Sequence, residues 1–166
     1  RLDAIDGDPD AAARKLRRAV ERAPNDADVL AVAAWSAIER APIAAEAVGW
    51  ADRALALNPE RPDWYLEARG EAAFASGDDA GALRWLSQGP ENLPDRLLYL
   101  AAATGNVGDH QAAEAAAAEL RRRVPAFDLD TYLQDWPWER GLREKLHTGA
   151  VRAGLGSGRP GLAASE

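Results

Sequence analysis

Apolar side chains recur along this chain with the spacing of amphipathic helices. After Pro9, the residues Ala12, Leu16, Ala19 and Val20 stand at i, i+4, i+7 and i+8, which is one face of a helix. No alternating run rich in Val, Ile or Thr indicates a strand. The pattern predicts helices over about 9–23, 26–40, 43–57, 63–76, 79–88, 95–105, 109–123, 128–135 and 139–153. We therefore expect an all-α fold.

Turn residues interrupt these helices at a constant interval. A Gly or Pro opens each block, and a closing Pro follows 17 residues later. The pairs are Gly7 and Pro24, Pro42 and Pro59, Gly77 and Pro94, and Gly108 and Pro125. Because Gly and Pro break helices, each interval encloses one helix between two turns. The blocks begin 35, 35 and 31 residues apart, and a repeat of about 34 residues predicts stacked helical hairpins.

Small residues stand at fixed offsets within the blocks, and with the closing Pro they make residues 7–125 resemble tetratricopeptide repeats. The matching small residues are Ala12, Ala47, Ala82 and Ala113, then Gly70 and Ala101 at the helix crossing, and Ala19 and Ala54 later in the second helix. The resemblance implies a right-handed superhelical solenoid of antiparallel helical hairpins. Trp35 departs from the pattern, because a small residue is expected there, so local packing should differ.

The repeat pattern divides the chain into three parts. Residues 1–125 are the helical repeats, with the first hairpin incomplete. Residues 126–153 are expected to form C-terminal capping helices, because the last repeat of a solenoid exposes an apolar face that needs a cover. Residues 154–166 are rich in Gly, Ser and Ala and are expected to be a flexible tail, native or a cloning remnant. The absence of Met and the start at Arg1 suggest a piece of a longer protein.

Composition narrows the class of partner. The net charge of −7 and pI near 4.9 argue against nucleic acid and favour a basic or neutral protein partner. The chain has no Cys, so neither disulfides nor thiolate metal sites are expected in either redox compartment. No apolar stretch approaches the ~20 residues of a membrane span, so we expect a cytoplasmic location, or a periplasmic one if the chain is attached to a membrane-linked regulator.

The resemblance also implies a groove along the first helices of the repeats, where a protein or peptide would bind. Its positions are Val29, Val32, Ser36, Arg40, Trp64, Glu67, Glu71, Phe74, Leu98, Tyr99 and Ala102. Interhelix packing is the alternative role for Trp64, Phe74 and Tyr99. Glu67 and Glu71 lie one helical turn apart and repel each other unless a cation lies between them, the alternative being a solvated surface pair. The groove lacks the basic clamp with which chaperone-binding members hold a terminal carboxylate.

Catalytic chemistry is not expected in this segment. His110 and His147 belong to no paired metal-binding spacing, and no nucleophile elbow or phosphate-binding loop occurs. Residues 121–123 are all Arg and suit a helix C-terminus better than an anion site. We predict no catalytic residue, no metal and no cofactor.

The C-terminal segment carries a second resemblance. The strings Phe127-Asp128-Leu129, Trp136-Pro137-Trp138, Leu142-Arg143-Glu144-Lys145-Leu146 and Arg152-Ala153-Gly154-Leu155 resemble the end of repeat regions attached to bacterial class III adenylate/guanylate cyclases and to winged-helix transcription regulators. This implies a regulatory or docking domain of a bacterial signalling protein. Two alternatives stay open: an accessory repeat domain fused to a different enzyme, of the sulfotransferase or oxygenase type, and a free-standing assembly adaptor. An exposed apolar edge at residues 1–20 would favour a homodimer.

Overall fold

The computed structural model describes residues 8–40, 43–89, 94–135 and 139–156. These contain the helices α1 (Pro9–Arg22), α2 (Ala27–Arg40), α3 (Ala44–Leu57), α4 (Trp64–Ala75), α5 (Asp79–Leu86), α6 (Pro94–Val107), α7 (His110–Arg123), α8 (Leu129–Gln134) and α9 (Arg140–Arg152). Strands are absent from this part of the chain, so the all-α prediction is confirmed for it. Every predicted helix is present, with bounds within two residues of the prediction. Most of the predicted tail and the Trp-Pro-Trp string lie outside the described residues.

Local sequence signals set the ends of several helices. The Asp8 carboxylate accepts hydrogen bonds from the backbone N–H groups of Asp10 and Ala11, at 2.9 and 3.1 Å. Asp78 and Asp109 cap α5 and α7 in the same way, through one backbone N–H each. Because the first N–H groups of a helix have no partner within the helix, these carboxylates stabilise the helix starts.

Two glycines end the helices that precede these caps. Gly77 and Gly108 have φ angles of +95° and +82°, a left-handed conformation that favours glycine. The backbone N–H of the next residue then returns to a carbonyl of the finished helix, as from Asp78 to Ala73 at 2.9 Å. Gly77-Asp78 and Gly108-Asp109 are therefore each a helix stop and a helix start in adjacent residues.

The helices pack in a repeat-like order. The pairs α2 and α3, α4 and α5, and α6 and α7 are each in contact. The second helix of a pair also contacts the first helix of the next, as α3 does with α4 and α5 with α6. The first helices contact each other in series, α2 with α4 and α4 with α6, and α1 packs on α2. The architecture is thus a helical, repeat-like array in which α2, α4 and α6 follow one another.

Small residues lie where these helices cross. Ala47, Ala82 and Ala113 of the second helices are completely buried. A Cβ atom added at Gly70 would lie 2.6 Å from Leu86 Cγ and 3.1 Å from the Leu86 backbone nitrogen. Because real Cβ contacts are wider than this, α4 and α5 can approach so closely only with glycine at the crossing.

The C-terminal helices return onto the first helices. The most extensive contact of α9 is with α6, and α9 touches α7 only slightly. A Cβ atom at Gly149 would lie 2.8 Å from Ala102 Cα, and one at Gly105 would lie 3.2 Å from Arg152 Cβ. Beyond α9, the backbone carbonyl of Gly154 accepts a hydrogen bond from the Arg121 guanidinium. The segment therefore lies mainly on α6, through a glycine-lined crossing.

Across the described helices, none combines the length and the apolar character needed to cross a membrane.

Candidate partner-binding face and a buried acidic cluster

The predicted groove residues all lie on α2, α4 and α6, and we call the side of these helices that carries them the first-helix face. Only part of this face is accessible. Val32 is 46% exposed, and Val29, Ser36 and Trp64 are half-buried. The buried members are Glu67, Glu71, Phe74, Leu98, Tyr99 and Ala102. The side chain of Arg40 lies outside the described part of the chain, and a partner-binding role for any of these residues stays a prediction.

Aromatic side chains connect the first helices within this face. The rings of Phe74 and Tyr99 meet edge to face, with centroids 5.3 Å apart. Trp35 stacks on Trp64 at 6.1 Å, and Trp64 meets Tyr65 edge to face at 4.5 Å. Such pairs stabilise a fold beyond the area that they bury. Trp35, which stands where the repeat pattern expects a small residue, is therefore accommodated by aromatic stacking between α2 and α4.

Tyr65 extends this aromatic group toward α2. Its hydroxyl donates a hydrogen bond to the Asp28 carboxylate. Burial, together with this bond, raises the pKa of Tyr65 to about 12. The phenol therefore stays protonated near neutral pH and keeps donating, which joins the start of α2 to the start of α4.

The C-terminal helices occupy much of the first-helix face. We call α8 and α9, with their capping residues, the C-terminal cover. The backbone N–H of Glu139, the cap of α9, donates to the Glu39 carbonyl of α2 at 2.8 Å. The hydroxyl of Tyr132 on α8 donates to Asp95 Oδ1 on α6 at 2.8 Å. Lys145 of α9 donates to a carbonyl of α4, so the cover has a polar contact to each of the three first helices.

Lys145 is the anchor of the cover on α4. Its ammonium donates to the Phe74 carbonyl at 2.6 Å, pairs with Asp79 Oδ1 at 2.8 Å and lies 4.2 Å from the Phe74 ring centroid. The Phe74 carbonyl is near the C-terminal end of α4, where the helix dipole favours a cation. This single side chain therefore combines an ion pair, a charge-assisted hydrogen bond and a cation–π contact.

Replacing Lys145 with Ala should lower the free energy of unfolding by about 2 kcal/mol, because a partly buried charged hydrogen bond and a cation–π contact are lost together. The matched control is Lys15→Ala, since Lys15 is exposed on α1 and should change stability by less than about 0.5 kcal/mol. Urea unfolding followed by tryptophan fluorescence measures both. Equal effects at the two lysines would show that Lys145 is no anchor.

Glu67 and Glu71 are buried, so the interpretation of them as a solvated surface pair is wrong. Glu67 is 2% exposed and Glu71 is 1% exposed. Their helix, α4, is enclosed between α2, α3, α5 and α6, and every residue from Tyr65 to Phe74 is buried. Two carboxyl groups whose mutual repulsion would be weak in water therefore lie in the protein interior.

The environment raises the pKa of both carboxyl groups. Burial raises the pKa of Glu67 to about 7, nearby Asp95 adds to this, and Arg96 opposes it. For Glu71, burial raises the pKa well above its usual range, and the like charges of Glu67, Glu39 and Asp95 act in the same direction. A side-chain hydrogen bond with Trp35 acts in the opposite direction. The two groups therefore favour the protonated state far more than an exposed glutamate does.

Three polar atoms of this region have no hydrogen-bond partner. They are Glu67 Oε2, Glu71 Oε1 and the Tyr99 hydroxyl, each with almost no accessible surface. The Tyr99 hydroxyl responds electrostatically to Glu71, Glu39, Asp95 and Tyr132, which places it in the same group. We call Glu39, Glu67, Glu71 and Asp95, with Tyr99, the acidic cluster.

Several of these residues were not singled out from the sequence. Glu39, Asp95, Tyr132 and Lys145 come from four different helices, and nothing local marks them. Two signals were present. In the first, the charged residues of α4 do not gather on one face, since Arg69 lies on the side opposite Glu67 and Glu71, which indicates a helix without a solvent-facing side. The other signal is Gly149 inside a helix, which indicates a close helix crossing.

The remaining candidates for chemistry are ordinary surface groups. His110 is exposed, and His147 Nε2 lies 3.6 Å from Asp130 Oδ1 beside a cleft of about 560 Å³ between α8 and α9. In the described ranges, no three His, Asp or Glu residues are arranged to hold a metal ion. Arg122 and Arg123 pair with Glu119 within α7 and lower the pKa of that carboxyl to about 2. Two of the three arginines therefore form ion pairs within their own helix, and Arg121 binds the Gly154 carbonyl.

No protein-family model matches this chain, and a comparison with curated proteins finds none that matches.

Proposed function

We propose that this chain is a protein-interaction module whose partner polypeptide binds to the first-helix face. One observation carries the proposal: this face already accepts a helix, since α9 lies on α6 and the cover reaches α4 and α2. Aromatic and aliphatic side chains that receive one amphipathic helix are suited to receive another. Binding would then use the same side of the array as the intramolecular contact.

The finer architecture that we propose is a right-handed solenoid of tetratricopeptide type. The serial contacts of α2, α4 and α6 support it, as do the contacts of each second helix with the next first helix. The buried Ala47, Ala82 and Ala113 and the glycine crossing at Gly70 support it further. In such an array the first helices line the concave side, which is the usual binding surface.

The open part of the face is where a partner would make its first contact. Val32 is exposed and Val29, Ser36 and Trp64 are half-buried, and all four lie on α2 or at the start of α4. The net charge of −7 favours a basic or neutral partner over an acidic one. The partner would therefore approach over α2, where the predicted groove residues are not yet covered.

Within a whole protein, we propose that the chain is the regulatory or docking region of a bacterial signalling protein and catalyses no reaction itself. The resemblance of residues 127–155 to the ends of repeat regions in cyclases and transcription regulators supports this context. A cover that lies on the proposed binding face is also what a regulated module would need.

Site-specific photo-crosslinking tests the proposed surface. A benzophenone amino acid replacing Val32, in cells that produce the protein, should crosslink to a discrete partner polypeptide, because this side chain lies at the open end of the face. The control is the same replacement at Ala56, which is exposed on α3 and so does not belong to the first-helix face. Identical crosslinks from both positions, or none from Val32, would contradict the proposal.

A further inference from the structure

The unpartnered atoms of the acidic cluster call for a physical explanation. Buried polar groups are almost always hydrogen-bonded, and each exception carries a cost in free energy. Glu67 Oε2 and Glu71 Oε1 accept hydrogen bonds and, when ionised, cannot donate them. The Tyr99 hydroxyl beside them is also unpartnered and is 1% exposed. In the ionised state the two oxygens therefore lack donors, and a cation is the group best suited to supply them.

The helices around the two glutamates supply mostly negative charge. On α2, Glu39 faces Glu71, and Trp35 offers it a hydrogen bond. On α6, Asp95 faces both glutamates, while Arg96 supplies positive charge and a backbone hydrogen bond to Glu67. On α8, Tyr132 is close enough to respond to Glu71 and Glu39. Glu71 is thus repelled by Glu39, Asp95 and Glu67, and Glu67 is repelled by Asp95.

The C-terminal cover brings cations but directs them elsewhere. Lys145 is held by the Phe74 carbonyl and Asp79, and Arg140 pairs with Glu144 on its own helix. Arg152 donates to Asn106 Oδ1 at 3.3 Å, and Arg143 is exposed. The cover thus leaves the two unpartnered oxygens of Glu67 and Glu71 without a cation.

We propose that the C-terminal cover is displaceable and that the acidic cluster, once uncovered, binds a guanidinium or ammonium group through Glu67 and Glu71. The inference rests on the proposed function and specifies the chemistry of the bound group. Because the free oxygens have almost no accessible surface, a ligand reaches them only if a packed element moves. The cover is the element that we propose to move, since Tyr132 of α8 lies close enough to Glu71 to interact with it. A bound cation donates hydrogen bonds to both carboxylates in the open state and to neither in the closed state. Its binding therefore favours opening.

Guanidinium suits the cluster better than ammonium. Its planar fork presents several N–H donors in fixed directions, which matches two carboxylates one helical turn apart. The rings of Trp35, Phe74 and Tyr99 line the same region and favour a weakly hydrated cation. We therefore expect methylguanidinium to act at lower concentration than methylammonium, and tetramethylammonium, which has no N–H donor, to act least.

Hydrogen exchange on the full chain tests the inference. With saturating methylguanidinium, the amides of α8 and α9 should exchange about tenfold faster than in sodium chloride of equal concentration, a coupling of ordinary size. The Glu67→Gln/Glu71→Gln variant should not respond, whereas Glu114→Gln, an exposed change on α7, should respond like wild type. No change in the wild type, or an equal response in the double variant, would overturn the inference.

Two further arms identify the source of the cation and guard against misfolding. A capped Ala-rich helical peptide with one Arg is compared with its Arg→Gln copy. If the Arg peptide acts at a lower concentration than methylguanidinium, the ligand is a partner side chain; if only methylguanidinium acts, the ligand is a small free cation. Far-UV circular dichroism checks that the double variant is folded, and the two single variants replace it if it unfolds.

A response to methylguanidinium needs no protein partner. A failed crosslink at Val32 would therefore contradict the proposed function without contradicting this inference, and a failed response to methylguanidinium would contradict this inference without contradicting the proposed function.

Discussion

The free energy of unfolding should fall as the pH rises from about 5 to about 7, and the Glu67→Gln/Glu71→Gln variant should lose this dependence. The pKa of Glu67 is about 7 in the folded protein against 4.5 for the unfolded group. Between these values the folded state binds more protons than the unfolded state, so stability is lost as the pH rises. The difference corresponds to about 3 kcal/mol for Glu67 alone.

Glu71 extends the effect to higher pH. Its pKa is raised well above 4.5 by burial and by three neighbouring carboxylates, so its contribution changes in the same direction as that of Glu67. Below pH 4.5 both groups are protonated in both states and cost nothing further. We expect the wild type to be most stable on the acidic side of this window, which is the reverse of the usual behaviour of paired carboxylates.

Urea midpoints measured at intervals from pH 5 to pH 8 give the result directly. Glutamine keeps the shape of the side chain and removes its charge, so the double variant should be more stable than wild type at pH 8 and nearly equal to it at pH 5. Glu114→Gln is the control, because its carboxyl is exposed on α7. A wild-type slope that survives in the double variant would show that other groups cause it.

Gly149→Leu should release α9 from α6 while the rest of the array stays folded. The added side chain would begin 2.8 Å from Ala102 Cα, and the backbone of a buried helix cannot move aside as a flexible side chain could. Overpacking of this kind costs about 1–3 kcal/mol or more, and the contact of α9 with α6 is the largest that the cover makes. We expect amides 142–152 to lose nearly all hydrogen-exchange protection.

The adjacent position supplies the control for this change. Thr148→Leu places the same side chain in the same helix but on an exposed residue, and should keep the protection of wild type. Retained protection in both variants would mean that the crossing at Gly149 does not hold the cover. Loss of protection in both would point to the helix itself instead of its packing.

The helices of this chain were predictable because their causes are local. The caps at Asp8, Asp78 and Asp109 and the left-handed Gly77 and Gly108 act within a few residues of themselves. The pairing of neighbouring helices also follows from sequence, because a short connection leaves a helix close to the one before it. Both features therefore agree with the structure.

The candidate site was predicted less completely, and the burial of its glutamates was missed. The spacing of Glu67 and Glu71 was visible, but their environment depends on Glu39, Asp95 and Tyr132, which come from three other helices. The predicted groove residue Ala102 lies under Gly149 of α9, a helix that begins more than 35 residues further along the chain. No periodicity within a repeat can indicate that contact.

The sequence by itself determined where the helices begin and end, that many of them are rich in Ala, and that neighbours pair through small residues. Only the tertiary structure decided that α8 and α9 return to the first-helix face, and that two carboxylates of α4 are held in the interior. The physical reason is the range of the interactions. Helix formation and capping depend on residues within a turn or two, whereas burial and the pKa values that follow from it depend on every element that packs nearby.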